Sequence, residues 1–254
     1  MTLKTADYSS RNLTIDILRA VTMLLMIFVN DLFTVKGYPE WFRHAAADED
    51  FLGLSDVVFP SFLFVVGLSI PYAIEGRFLK GVNELSTVAH ILTRSVALIL
   101  MGVFTVNTES GLSAETGMSV AVYKIIMIIA FFMVWNAYPR TNNNSRKIIY
   151  NSLQAAGLIV LLVLAILFRD KNGNIFSPRW WGILGLIGWA YLFSAFTYLF
   201  ARKNFLLQFI IFLLLCILCF VQTPLKNGTQ ILDFGKGNFF NPFIDLIQIR
   251  NGAH

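Results

Sequence analysis

Long apolar runs alternate with short polar connections along this chain, and the alternation is the first thing that constrains it. The runs cover Leu13 to Phe33, a segment opening at Ser55-Asp56 and continuing to Ile74, and Val88 to Val106. Four more follow at Met118 to Tyr138, Ile148 to Phe168, Trp181 to Phe200 and Phe205 to Gln222. Each is close to the roughly 20 apolar residues that a bilayer-spanning helix needs. The pattern predicts an all-α fold, a polytopic transmembrane helix bundle with about seven spans in this chain. Residues 1–223 form the transmembrane domain in this reading. Residues 224–254 are a polar extramembrane tail or a truncated continuation, with short apolar pieces at Phe239-Phe240 and Phe243-Ile244 but no span.

Composition agrees with the pattern. Hydrophobic residues make up 56% of the 254 and charged residues only 14%, well below the roughly 25% of soluble domains. Mean hydropathy is +0.66. The net charge of +5 raises the question of nucleic acid, but the excess Lys and Arg lie in the short connections, where they set topology. A nucleic-acid partner is therefore excluded in favour of the lipid bilayer. Lys4, Arg11, Arg77, Lys80, Arg140, Arg146, Lys147, Arg202 and Lys203 fall on one side of the alternation. Lys36, Arg43, Arg169, Lys171 and Arg179 fall on the other. This bias places the N-terminus in the cytoplasm and the first long loop outside, with Pro178 and Trp180-Trp181 as an interfacial belt on that outer side. No cleavable signal peptide is evident. Cys216 and Cys219 sit within an apolar run without a neighbouring His or further Cys, so they read as packing residues, and no metal is expected.

Polar residues inside or beside the spans carry the candidate chemistry, because a charge in a span is costly and tends to be functional. Asp16 and Arg19 share a helix face and read as a structural pair. A hairpin of the first two spans brings Asn30, Asp31, His44 and Asp56 toward one mouth of the bundle, beside the acidic run Asp48-Glu49-Asp50. His90 and Arg94 share a face of the third span, where Arg94 is a candidate contact for a phosphate-rich cofactor. Lys124 lies a few residues into the fourth span, either snorkelling outward or facing the interior. Gly182, Gly185 and Gly188 read as a close-packing helix face. Ser55 and Ser69 have a sufficient reading in helix capping and packing.

The ordered set Ile15-Asp16-Ile17-Leu18-Arg19-Ala20, Met26-Ile27-Phe28-Val29-Asn30, His44-Ala45, Asp56-Val57-Val58-Phe59-Pro60-Ser61-Phe62-Leu63-Phe64 and Gly67-Leu68-Ser69-Ile70 resembles the heparan-alpha-glucosaminide N-acetyltransferase family. That family belongs to a wider group of transmembrane acyltransferases. The resemblance covers the first third of the chain well. Three departures are Ala20 where the family usually has Gly, Ala46-Ala47 where a Trp often follows the His-Ala pair in animal members, and a longer interval from His44 to Asp56. The resemblance implies an acyl-CoA donor, acetyl-CoA, and a sugar acceptor, with His44 as base or transient acetyl carrier. It also implies a bacterial member in the inner membrane and about eleven spans, so the chain is expected to be a fragment or an unusually short member. The residues themselves suit roles in that chemistry. Asn30 offers an amide to the thioester carbonyl, and Asp56 orients the imidazole or holds a cationic acceptor. Arg94 and Lys124 are the candidate donor-binding cations. A homodimer is compatible with this. A transporter of a small polar solute and a non-catalytic membrane scaffold stay open as alternatives.

Overall fold

The computed structural model describes residues 12–32, 35–46, 49, 51–139, 141–180 and 182–222. These form seven α-helices: α1 (Leu13–Leu32), α2 (Leu54–Leu79), α3 (Glu84–Glu109), α4 (Val120–Trp135), α5 (Asn144–Leu167), α6 (Ile183–Ala201) and α7 (Phe205–Gln222). Two short 3-10 turns, Glu40–Phe42 and Ala114–Thr116, precede α2 and α4. The all-helical expectation is met: no strand occurs among the described residues, only one isolated bridge between Arg169 and Ile175.

Five helices, α1, α2, α3, α5 and α6, are long and apolar enough to cross a membrane. The expected fourth span is shorter than its apolar run. Ser119 caps α4 by accepting the Val122 N–H at 3.3 Å, and Asn136 turns extended at the other end. Sixteen residues then remain, about 24 Å of helix. Side chains such as Leu24, Ile27, Phe132, Ile166 and Phe212 point outward and exposed. Water would not favour so large an apolar surface, whereas lipid does. The protein is an integral membrane protein.

The chain divides into two compact units, whose boundaries fall inside α3 and α6. Among the described residues, the first comprises those within 12–93 and 190–222. Its core is Ile70 and Ile74 of α2, Ile91 of α3, and Tyr191, Ala195 and Leu199 of α6. At the end of that core Arg202 reaches Glu84 at 3.0 Å and Glu75 at 3.7 Å, over the Phe78 ring. Tyr198 also donates to Glu75. Within α1, Arg19 pairs with Asp16 at 2.8 Å, as their spacing predicts.

Among the described residues, the second unit comprises those within 94–189. Tyr123, Met127 and Ala130 of α4 interlock with Leu161 and Leu164 of α5, and with Phe104 and Phe168. The buried Tyr123 hydroxyl donates to the Leu164 carbonyl at 3.1 Å. Gly182, just before α6, and Gly185 and Gly188 within it act as their spacing suggests. A Cβ on Gly182 would lie 2.2 Å from Val106, and one on Gly188 would lie 2.8 Å from Ile99. A Cβ on Gly102 would lie 2.3 Å from the Gly185 nitrogen, so the backbones of α3 and α6 touch there. Residues 168–180 fold over this unit's end. Buried Asn107 donates to Ser177 O and accepts its N–H, while Asp170 gathers the N–H groups of Asn172 and Asn174.

Candidate active site at the mouth of the first hairpin

α1 and α2 pack against one another as an antiparallel pair, pinned at one end by Asn12 donating to the Tyr72 hydroxyl at 3.2 Å. At the other end the connecting loop makes its 3-10 turn over Glu40–Phe42 and then runs extended past the start of α2. Four consecutive residues, 42 to 45, each meet a residue of the segment 53 to 56. Buried Ser55 donates its hydroxyl to the Phe42 carbonyl at 2.5 Å. The Arg43 carbonyl lies so close to Gly53 that a Cβ there would sit 1.8 Å from its oxygen. His44 Nδ1 meets Asp56 Oδ1 at 2.7 Å. The Ala45 N–H donates to Asp56 Oδ2 at 3.0 Å.

Asp56 is the hub of this arrangement. Its Oδ2 also accepts the Gly53 N–H at 2.9 Å, which caps the first turn of α2. One carboxylate therefore starts a helix, holds a loop and orients an imidazole. An ionised carboxylate only accepts hydrogen bonds, so Nδ1 of His44 carries the proton and neutral His44 keeps its lone pair on Nε2. His44 is 46% exposed and Asp56 22%, so the dyad stands at the surface of this unit within reach of a reactant.

A second ion pair braces the loop. Arg43 binds Glu49 in a fork, with contacts of 2.7 and 2.5 Å, and lies over the Phe51 ring. The Arg43 guanidinium, joined by the Ala46 N–H, holds the Glu49 carboxyl below its usual range. Of the acidic run, Glu49 thus serves the loop's own structure. Asp48 and Asp50 lie outside the described residues, as do Trp181, the side chain of Cys219 and the tail from residue 223.

The other sequence-derived candidates fall elsewhere. Asn30 is exposed on the last turn of α1, and among the described residues no hydrogen bond joins it to His44 or Asp56. Arg94 and Lys124 are exposed on α3 and α4, in the second unit. Lys124 acts electrostatically on Glu109 at the end of α3, whereas Arg94 lies about 22 Å back along that helix. The two cations therefore address separate places. Sequence reasoning missed Gly53 and misjudged Ser55, whose hydroxyl tethers the loop. The available signal was the Gly53-Leu54-Ser55-Asp56 start of an apolar run, which marks a helix N-terminus.

The family assignment follows from the chain as a whole. Residues 11–233 match DUF5009, described as a domain of unknown function. The chain belongs to that family. It is also similar to heparan-alpha-glucosaminide N-acetyltransferase of Mus musculus, at 29% identity over 136 residues, covering 49% of this chain and 20% of the mouse protein. The namesake of Homo sapiens is 33% identical over 94 residues, covering 37% of this chain and 13% of the human protein. The chain thus spans a fifth or less of the curated relatives it matches. No solved structure matches it. These similarities agree with the family resemblance carried by the first hairpin's motifs, and relate this DUF5009 chain to membrane acetyltransferases.

Proposed function

We propose that this DUF5009 protein transfers an acetyl group from acetyl-CoA to the amine of an amino sugar, with His44 as general base. The observation that carries the reading is the Asp56–His44 contact at 2.7 Å in a segment matching the acetyltransferase motif. Carboxylate, Nδ1–H and Nε2 lone pair stand in the order that general-base catalysis requires. The neutral amine attacks the thioester carbonyl, and His44 Nε2 takes its surplus proton. The C–N bond forms, the C–S bond breaks, and the CoA thiolate leaves and recovers that proton. Asp56 keeps the imidazole in the right tautomer and stabilises its cationic form. Asn30, at the same end of the hairpin, is assigned to the developing oxyanion through its amide, a role worth about 2.7–4 kcal/mol where the donor is well placed. Arg94 and Lys124 are assigned to the donor's phosphates, with Glu109 of α3 acting electrostatically on Lys124.

The bias of basic loop residues supports a cytoplasmic N-terminus and an outward-facing His44 loop, with a bacterial inner membrane as the setting and a homodimer compatible with it. The test is acetyl transfer from acetyl-CoA to glucosamine by the protein in membranes, with uptake of glucosamine into sealed vesicles measured in parallel. His44→Ala should lower turnover about 10²–10⁴-fold while acetyl-CoA binding persists. Near-normal turnover of an inserted His44→Ala protein would remove the mechanism, and uptake without transfer would establish a carrier instead.

A further inference from the structure

Around His44, the side chains of Phe42, Arg43 and His44 itself are held in place, whereas the Trp41 ring keeps an exposed face. Phe42 has its carbonyl taken by Ser55 and its ring set edge-on to Phe28, with centroids 5.8 Å apart. Arg43 is held by Glu49 and Phe51, and His44 by Asp56. Trp41 stacks one face on Phe42, centroids 3.6 Å apart and planes 27° from parallel, yet remains 56% exposed. Its exposed area therefore belongs to the opposite face and the edge. The ring is also immobilised from beneath, since Phe42 is fixed by both α1 and α2. A rigid aromatic surface loses little freedom when something settles on it.

We infer that Trp41 is the platform on which the ring of the amino-sugar acceptor rests while its amine reaches His44. This rests on the acetyl-transfer reading above. His44 is three positions on from Trp41, so their α-carbons lie within about 11 Å, the span of one or two sugar rings. A pyranose presents a flat face of C–H groups, which suits an indole, and a protonated amine adds attraction to the ring's π face. Exposed Glu40, the preceding residue, adds a carboxylate in the same 3-10 turn that can attract the ammonium form. A neutral, ringless ligand would gain from neither feature. Exposed Trp also marks membrane interfaces, but here the ring shares its turn with Glu40 and its loop with the ionised pair Arg43–Glu49, which favours a water-facing setting.

The test compares two acceptors, glucosamine and the ringless amine ethanolamine, with wild type, Trp41→Phe and Trp41→Ala in nanodiscs. Trp41→Ala should raise the KM for glucosamine about three- to tenfold, with kcat and the acetyl-CoA KM unchanged. Trp41→Phe should fall between, and ethanolamine, which keeps the ammonium attraction but has no ring to stack, should respond less than glucosamine. Glucosamine should also protect Trp41 from oxidation by N-bromosuccinimide in otherwise unaltered protein, a readout that survives misfolding of the variants. Normal wild-type transfer with an unchanged glucosamine KM in Trp41→Ala would overturn the platform alone. A loss of membrane insertion with unchanged KM in the inserted fraction would identify an anchor and overturn it likewise. Failure of the wild type to acetylate either amine would overturn the acetyl-transfer reading, and the platform with it.

Discussion

Replacing Gly53 by Ala probes the site through its backbone and leaves every polar group in place. Gly53 has φ −89° and ψ 169°, a conformation open to any L-residue, so backbone strain plays no part. The obstacle is the Arg43 carbonyl oxygen, 1.8 Å from where the Cβ would go. Carbon and oxygen do not approach below about 3 Å, so the 42–45 segment must retreat by more than an ångström. Three bonds cross this seam, from Ser55 to Phe42, from Ala45 to Asp56 and between His44 and Asp56. Bonds of 2.5–3.0 Å lengthened that far are no longer bonds. At about 1 kcal/mol net each, and more for those to the carboxylate, the loop loses about 3–5 kcal/mol. A displacement of about 1 Å also costs roughly 10²-fold in turnover where geometry sets the rate. The expected result is an inserted, helical protein whose acetyl transfer falls about 100-fold and whose thermal midpoint drops. Gly67→Ala in the same helix is the control. Nothing lies within 4 Å of its added Cβ, and removing a mid-helix Gly favours the helix by about 0.5–1 kcal/mol. Wild-type turnover and stability in Gly53→Ala would refute the seam as the device that positions His44.

Two further outcomes are expected. A cysteine at exposed Ala46, with Cys216 and Cys219 replaced, should react with an impermeant thiol reagent added outside the cell; reaction only after the membrane is opened would invert the topology. Asp170 has its carboxyl held below the ordinary range, chiefly by Asn174, joined by the Asn172 and Asn174 N–H groups and Arg179. Its contribution to stability is therefore full above the unfolded-state value, about 3.9, and is lost as pH falls through the lower folded-state value. The gap in thermal midpoint between wild type and Asp170→Asn should be widest at neutral pH and close in strong acid; a gap independent of pH would show that the ionised carboxylate contributes nothing.

Much of this molecule is legible in its sequence, and the reason is the membrane. A backbone crossing lipid must satisfy its own hydrogen bonds, so long apolar runs become helices whatever surrounds them. Their order alone yields the hairpin that carries His44 and Asp56, and the i, i+3 spacing yields the Asp16–Arg19 pair. The glycines of α6 also announce themselves, because only a residue without a Cβ permits backbones to touch. What sequence could not decide were contacts between residues six or more positions apart in a loop without periodicity. That the acidic run contributes Glu49 to Arg43, that Ser55 tethers Phe42, and that Gly53 yields its place to the Arg43 carbonyl follow from how the loop lies across the start of α2. The length of α4 was likewise set by its caps, Ser119 and Asn136, which end the helix before the apolar run ends. The outward face of Trp41 depends on Phe42 being fixed from below by Phe28 and Ser55. Local chemistry chose the helices, and the packing of the loop on α2 chose which of its side chains hold the site and which face outward.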